Sequence, residues 1–200
     1  MNLANKLTIL RIILVPVIVV IYYLGSLGLI QGNFLNIPIV NWLILLIFAI
    51  ASYTDHLDGK LARRDNKITA FGKFADPLAD KILVLSAMLL LVEFGKLPAW
   101  IPIIIMAREF IVSGYRLIAV EQGGKVIAAS IYGKIKTVTQ IIAIIIAFLD
   151  VNSFGRCFTG GLTGIQFLLN ISQTLMMIVC VIATIISGID YLKDGKELLK

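Results

Sequence analysis

Apolar residues run along this chain in long blocks, neither alternating nor recurring on a single helical stripe. Six blocks come near the roughly 20 helical residues needed to cross a hydrocarbon core of about 30 Å, at about 8–29, 39–61, 74–95, 98–121, 131–149 and 166–191. The predicted fold is all-α, an integral membrane bundle of six transmembrane helices. The blocks nearly exhaust the 200 residues, so residues 1–200 are expected to form a single membrane domain. The first block follows a basic start, as a signal peptide would. Its apolar part is too long and no small-residue cleavage site follows, so it is read as a retained first helix.

Composition strengthens this picture. Hydrophobic residues make up 59% and charged residues 15%, with a mean hydropathy of +0.96, whereas about a quarter of a soluble domain is charged. Basic residues fall on one side of the expected spans: Lys6 and Arg11 at the N-terminal end, Lys60, Arg63, Arg64, Lys67 and Lys73 between the second and third blocks. Lys125, Lys134 and Lys136 follow the fourth block, and Lys193, Lys196 and Lys200 follow the sixth. Residues 25–38 carry no charge, and Lys96 and Arg156 alone interrupt the other loops on that side. Retention of Lys and Arg on the inner face predicts cytoplasmic termini. The net charge of +6 does not indicate nucleic acid, because the cations lie at helix ends and suit anionic lipid headgroups. Cys157 and Cys180 suggest neither a disulfide nor a metal pair.

One stretch departs from the pattern. Residues 54–81, "TDHLDGKLARRDNKITAFGKFADPLADK", hold five of the eight aspartates, of which Asp55, Asp58, Asp76 and Asp80 flank glycines and alanines at helical spacing. On a helix, Asp55, Asp58, Gly59 and Ala62 share a stripe, and Gly72, Asp76 and Asp80, each four residues apart, share another. The polar turn Arg63 to Thr69 makes the two helices antiparallel neighbours whose stripes can face each other. Converging carboxylates require a cation, since each costs several kcal/mol to remove from water. All-oxygen ligands select Mg²⁺ or Mn²⁺, and four carboxylates balance two divalent ions, the arrangement used for displacement at phosphorus. Two other readings remain open at this point: an ion pathway, or structural pairing with Arg63, Lys73 or Lys81. His56 is offset by about 100° from Asp55 and is read as facing headgroups or packing.

The pattern Asp55-x2-Asp58-Gly59-x2-Ala62-Arg63-x8-Gly72-x3-Asp76-x3-Asp80 resembles, without substitution or change of spacing, the signature of the CDP-alcohol phosphotransferase family. The resemblance implies transfer of a phosphatidyl or similar group from a CDP-activated donor to an alcohol, with release of CMP. By position, Asp55, Asp58 and Asp76 resemble ligands of two divalent cations, and Asp80 resembles the residue that completes the second site and serves as general base. Gly59, Ala62, Arg63 and Gly72 look like the cradle of the donor's nucleotide and diphosphate, where room and a guanidinium are useful.

The segments "REF…GYR" and "GKIKT" resemble the branch of that family whose acceptor is sn-glycerol 3-phosphate and whose donor is CDP-diacylglycerol. Arg108, Arg116, Lys134 and Lys136 are accordingly expected to bind the acceptor phosphate, with Glu109, an aspartate or a substrate phosphate as counter-ion for the embedded arginines. "NKLTILR", Asn5 to Arg11, resembles the branch's short interfacial start, with Ala4 where proline is common. A homodimer in a bacterial cytoplasmic (inner) membrane is implied by the resemblance. Rival readings are another acceptor, such as serine, inositol phosphate or phosphatidylglycerol, and a divalent-cation transporter.

Overall fold

The computed structural model describes residues 3–65, 70–121 and 131–194, with side chains described over 7–54, 75, 78–115 and 131–193. Among them lie six α-helices: α1 (Leu3–Ser26), α2 (Ile39–Asp65), α3 (Ala70–Glu93), α4 (Trp100–Glu121), α5 (Ile131–Leu149) and α6 (Gly164–Asp194). The only strands among the described residues are β1 (Asn33–Phe34) and β2 (Ile37–Pro38), which pair antiparallel. The protein is an all-α membrane protein. Three helices are by themselves long and apolar enough to cross a membrane, over Leu7–Ser26, Ile131–Leu149 and Gly164–Lys193. The apolar part of α2 is Ile39–Thr54, and the aspartates begin at the next residue.

The chain divides into two compact units, Met1–Phe94 with Phe148–Val151, and Gly95–Ala147 with Asn152–Lys200. In the first, α1 packs broadly against both α2 and α3, while α2 and α3 touch each other over a shorter stretch among the described residues. The sequence predicts α2 and α3 as antiparallel neighbours; among the described residues they do touch, and α1 packs on each of them over a longer stretch. Small side chains make that approach possible. Ala75, Ala79, Leu83, Ala87 and Leu91 form a buried row on α3 at four-residue spacing, the ridge along which helices pack. At the other end of α1, a side chain on Gly25 would overlap Val40 of α2. The outward face of α1 presents Leu10, Ile13, Val17 and Val20, as a lipid-facing surface does.

Helix α1 ends earlier than the apolar block suggests because Gly28 adopts a left-handed φ of 73° and the Leu27 amide bonds back to the Tyr23 carbonyl at 2.9 Å, a glycine-type stop. Leu35 and Asn36, with φ of 54° and 62°, form the tight turn between β1 and β2. Two successive positive φ values characterise the hairpin turn whose twist matches the strands.

The second unit is built around α6, which packs on α4. Its buried face is rich in polar and small groups, Gln173, Thr174, Cys180, Thr184 and Ser187, beside Met177, Val181 and Tyr191, whereas Leu175, Ile182, Ile186 and Ile189 are exposed. This inversion of the soluble pattern suits a lipid surround, where apolar contact between helices brings no net gain over lipid and packing rests on small and hydrogen-bonding groups. Lys96, expected as a loop charge, is instead buried, and its Nζ donates to the Ala147 carbonyl at 3.1 Å. Its own carbonyl accepts from the Phe154 amide and from Gln173 Nε2.

Candidate functional site

The signature residues fall on continuous helix. Asp55, Asp58, Gly59, Ala62 and Arg63 belong to α2, which runs to Asp65, and Gly72, Asp76 and Asp80 belong to α3, which begins at Ala70. The i, i+3, i+4, i+7 register on α2 and the i, i+4, i+8 register on α3 therefore hold on the backbone. The side chains of Asp55, Asp58, Asp76, Gly59, Ala62, Arg63 and Gly72 lie outside the described residues. So do His56, Lys73 and Arg116. Asp80 is the signature acid whose surroundings are described.

Asp80 Oδ1 accepts a hydrogen bond from Arg11 Nη1, an ion pair across α1 and α3. The two partners differ sharply in exposure, with the arginine side chain at 1% and the aspartate at 40%. Arg11 was expected among the basic residues of the N-terminal end. It lies instead in the α1 core stripe with Thr8 and Ile18. A lone arginine inside an apolar helix calls for an anionic partner, and that signal was available in the sequence.

The second unit contains another charged cluster. Glu109 Oε1 on α4 accepts from Lys136 Nζ of α5 at 2.7 Å and from Arg108 Nη1 at 3.0 Å. Arg108 also donates through Nη2 to Ser187 Oγ of α6, and its guanidinium lies 5.5 Å from the centre of the Tyr191 ring, within cation–π range. The arginine stem passes close to the α6 backbone, since a Cβ built at Gly188 would lie 3.3 Å from Arg108 Cγ. Groups of α4 and α6 thus fix one guanidinium, and Lys136 of α5 shares its carboxylate. Arg108, Glu109 and Lys136 are 12%, 19% and 7% exposed, so the group is largely withdrawn from water. One carboxylate faces two cations, leaving the described cluster with one positive charge in excess. Arg108 Nε is buried and has no hydrogen-bond partner among the described residues. Lys134, also expected here, is exposed on α5.

Of the expected acceptor-binding cations, Arg108 and Lys136 therefore come together on Glu109. Ser187 and Tyr191 were not anticipated. Their signal lies in the recurrence of small and polar residues along α6, through Cys180, Thr184, Ser187 and Tyr191, spaced as one helical face.

Comparison with known proteins gives the same placement over nearly the whole chain. The sequence profile described as CDP-alcohol phosphatidyltransferase matches residues 1–187. The chain belongs to the CDP-alcohol phosphatidyltransferase family. Among its relatives, a CDP-diacylglycerol--glycerol-3-phosphate 3-phosphatidyltransferase of Bacillus subtilis (strain 168) is 40% identical over 200 residues, covering 100% of this chain and 97% of that protein. A probable phosphatidylglycerophosphate synthase of Mycobacterium tuberculosis (strain ATCC 25618 / H37Rv) is 36% identical over 190 residues, covering 95% of this chain and 79% of the relative. A CDP-diacylglycerol--glycerol-3-phosphate 3-phosphatidyltransferase of Salmonella choleraesuis (strain SC-B67) is 42% identical over 149 residues, 72% of this chain and 74% of the relative.

Proposed function

We propose that this protein transfers the phosphatidyl group of CDP-diacylglycerol to sn-glycerol 3-phosphate, giving phosphatidylglycerophosphate and CMP. The full-length similarity to relatives named for that reaction supports the donor and acceptor together. The observation that carries the acceptor is the Glu109 cluster, where two buried cations share one carboxylate. Buried positive charge in excess favours an anionic ligand. A phosphate-bearing alcohol meets that requirement; a neutral one does not.

The 1-hydroxyl of glycerol 3-phosphate attacks the lipid-side phosphorus of the donor diphosphate. A new P–O bond forms as the bond to the CMP oxygen breaks, and the hydroxyl proton passes to the carboxylate of Asp80. A carboxylate is suited to this role because it accepts and later releases a proton within hydrogen-bond reach. Arg63, with the open volume at Gly59, Ala62 and Gly72, holds the nucleotide and diphosphate of the donor. Arg108 and Lys136, joined by Arg116 and Lys134, orient the acceptor through its phosphate. Asp55, Asp58, Asp76 and Asp80 form an all-oxygen donor set of the kind that suits Mg²⁺ or Mn²⁺, and the 40% exposure of Asp80 is compatible with a ligand role. Two such ions, when bound, supply neutralisation of the diphosphate and of the departing CMP.

The basic loops support a placement with both termini on the cytoplasmic face of a bacterial inner membrane, the protein acting as one membrane domain and as a homodimer. The deciding experiment offers the purified protein CDP-diacylglycerol with a panel of alcohols, with and without a chelator, and measures CMP. Release with glycerol 3-phosphate that stops on chelation is expected. Release with serine but not glycerol 3-phosphate would reassign the acceptor, and metal flux into dye-loaded proteoliposomes would point to transport.

A further inference from the structure

We propose that Arg11, on the first helix and outside the aspartate signature, is a positioning residue for Asp80. The inference rests on the reading of Asp80 as proton acceptor given above and adds a residue that the signature does not contain.

The asymmetry of the pair carries the argument. A long cationic side chain near the start of a membrane helix ordinarily turns its head toward the interface, where water and headgroups solvate it. Arg11 does the opposite: it sits in the α1 core stripe and reaches α3 with 1% of its side chain exposed. Water screens a pair whose acid is half open, so the bond is weaker as a structural link than one enclosed on both sides, whose acid would bear a desolvation cost. Asp80 nevertheless keeps 40% of its side chain open. The arrangement encloses the cation and presents the acid.

Fixing the acid has a chemical use. Rotation of an aspartate carboxylate about its last bond is soft, with a broad and roughly two-fold preference. An open carboxylate would sweep through orientations, few of which meet an incoming hydroxyl. A guanidinium is a planar donor that does not deprotonate, and Arg11 is itself held by the packing of α1 on α3. With Oδ1 engaged from the interior side, the outward direction of the carboxylate is set before substrate arrives. Such preorganisation acts on the chemical step and has little bearing on donor binding.

The test compares full-length Arg11→Met, Arg11→Lys and Asp80→Asn with the unaltered protein, in the same lipid nanodiscs, by steady-state kinetics with CDP-diacylglycerol and glycerol 3-phosphate. Rates are normalised to folded protein from thermal unfolding and size exclusion. R11M is expected to lower kcat by about 10- to 100-fold, the scale of a misplaced catalytic group, with KM for CDP-diacylglycerol little changed. R11K, which keeps the charge but loses the planar head, is expected to recover an intermediate kcat. If R11M does not fold, R11K alone decides: an intermediate kcat supports positioning and an unaltered one overturns it. A loss of turnover that disappears on normalisation to folded protein would also overturn it, leaving Arg11 a structural ion pair. The outcomes remain separable from those of the underlying reading. Full activity in D80N refutes Asp80 as the base, whereas an inactive D80N beside a fully active R11M refutes the positioning role alone.

Discussion

Two ion clusters, one in each unit, are built on opposite plans. In the first unit one arginine is enclosed and its aspartate stays open; in the second, one glutamate is shared by two cations and all three are largely withdrawn from water. The first cluster lies in sequence beside further acids, Asp55, Asp58 and Asp76, interleaved with Lys60, Arg63, Arg64, Lys73 and Lys81. The second is rich in positive charge. Buried charge of one sign is tolerated where a ligand of the other sign completes it. The contrast accords with the proposal of divalent cations at the aspartates and an anionic alcohol at the Glu109 cluster.

The largest effect should come from attacking the acidic region. Asp80→Asn, or removal of divalent ions by a chelator, is expected to cut CMP release by at least about 100-fold, the lower range for loss of a general base. Retained turnover after either treatment would end the assignment of cations to this region. Next in size is Glu109→Gln, which leaves Arg108 and Lys136 without their shared carboxylate. Breaking a buried pair of this kind costs about 3–5 kcal/mol, read as a lower unfolding temperature in detergent. Glycerol 3-phosphate, but not glycerol, should restore part of that loss. Equal rescue by both would remove the argument for an anionic acceptor.

A smaller effect is expected where packing alone changes. Gly25→Ala forces a methyl onto Val40, where α1 meets α2, at a cost of about 1–3 kcal/mol for overpacking. Unfolding should shift with the KM values unaltered, in contrast to the charge variants. Ser187→Ala is the gentlest change. It removes the hydroxyl that accepts from Arg108 Nη2 while Glu109 and Tyr191 still hold the guanidinium, and should raise KM for glycerol 3-phosphate by a few-fold while KM for CDP-diacylglycerol holds.

The helices were the most legible part of the sequence, since length and hydropathy are what a membrane selects. The expected spans 98–121 and 131–149 correspond to Trp100–Glu121 and Ile131–Leu149. Departures occur where polar chemistry takes over. Helix α2 runs past its apolar block to Asp65, and α3 starts at Ala70, ahead of the expected 74, because Lys, Arg and Ala are good helix formers even outside the lipid. The hairpin at Asn33–Pro38 was missed because Leu35 and Asn36 are an unusual pair for a turn that favours Asn-Gly. Within the sites, the spacing of the aspartates is visible in the sequence because it follows helix geometry. The partnership of Arg11 with Asp80 spans 69 positions, and that of Arg108 with Ser187 spans 79. Such distant pairing is decided by how helices stack, so the charges were legible and their companions were not.

The enclosure of Arg11 has an implication for how the protein meets changing surroundings. Dissolved ions weaken attractions between groups they can approach, over a range of about 8 Å at ordinary cellular ionic strength, but they reach the Arg11–Asp80 bond only from the open side of the acid, since the guanidinium is enclosed. Higher salt would loosen attractions of the exposed Lys134 on α5 before it disturbed the bond that orients Asp80.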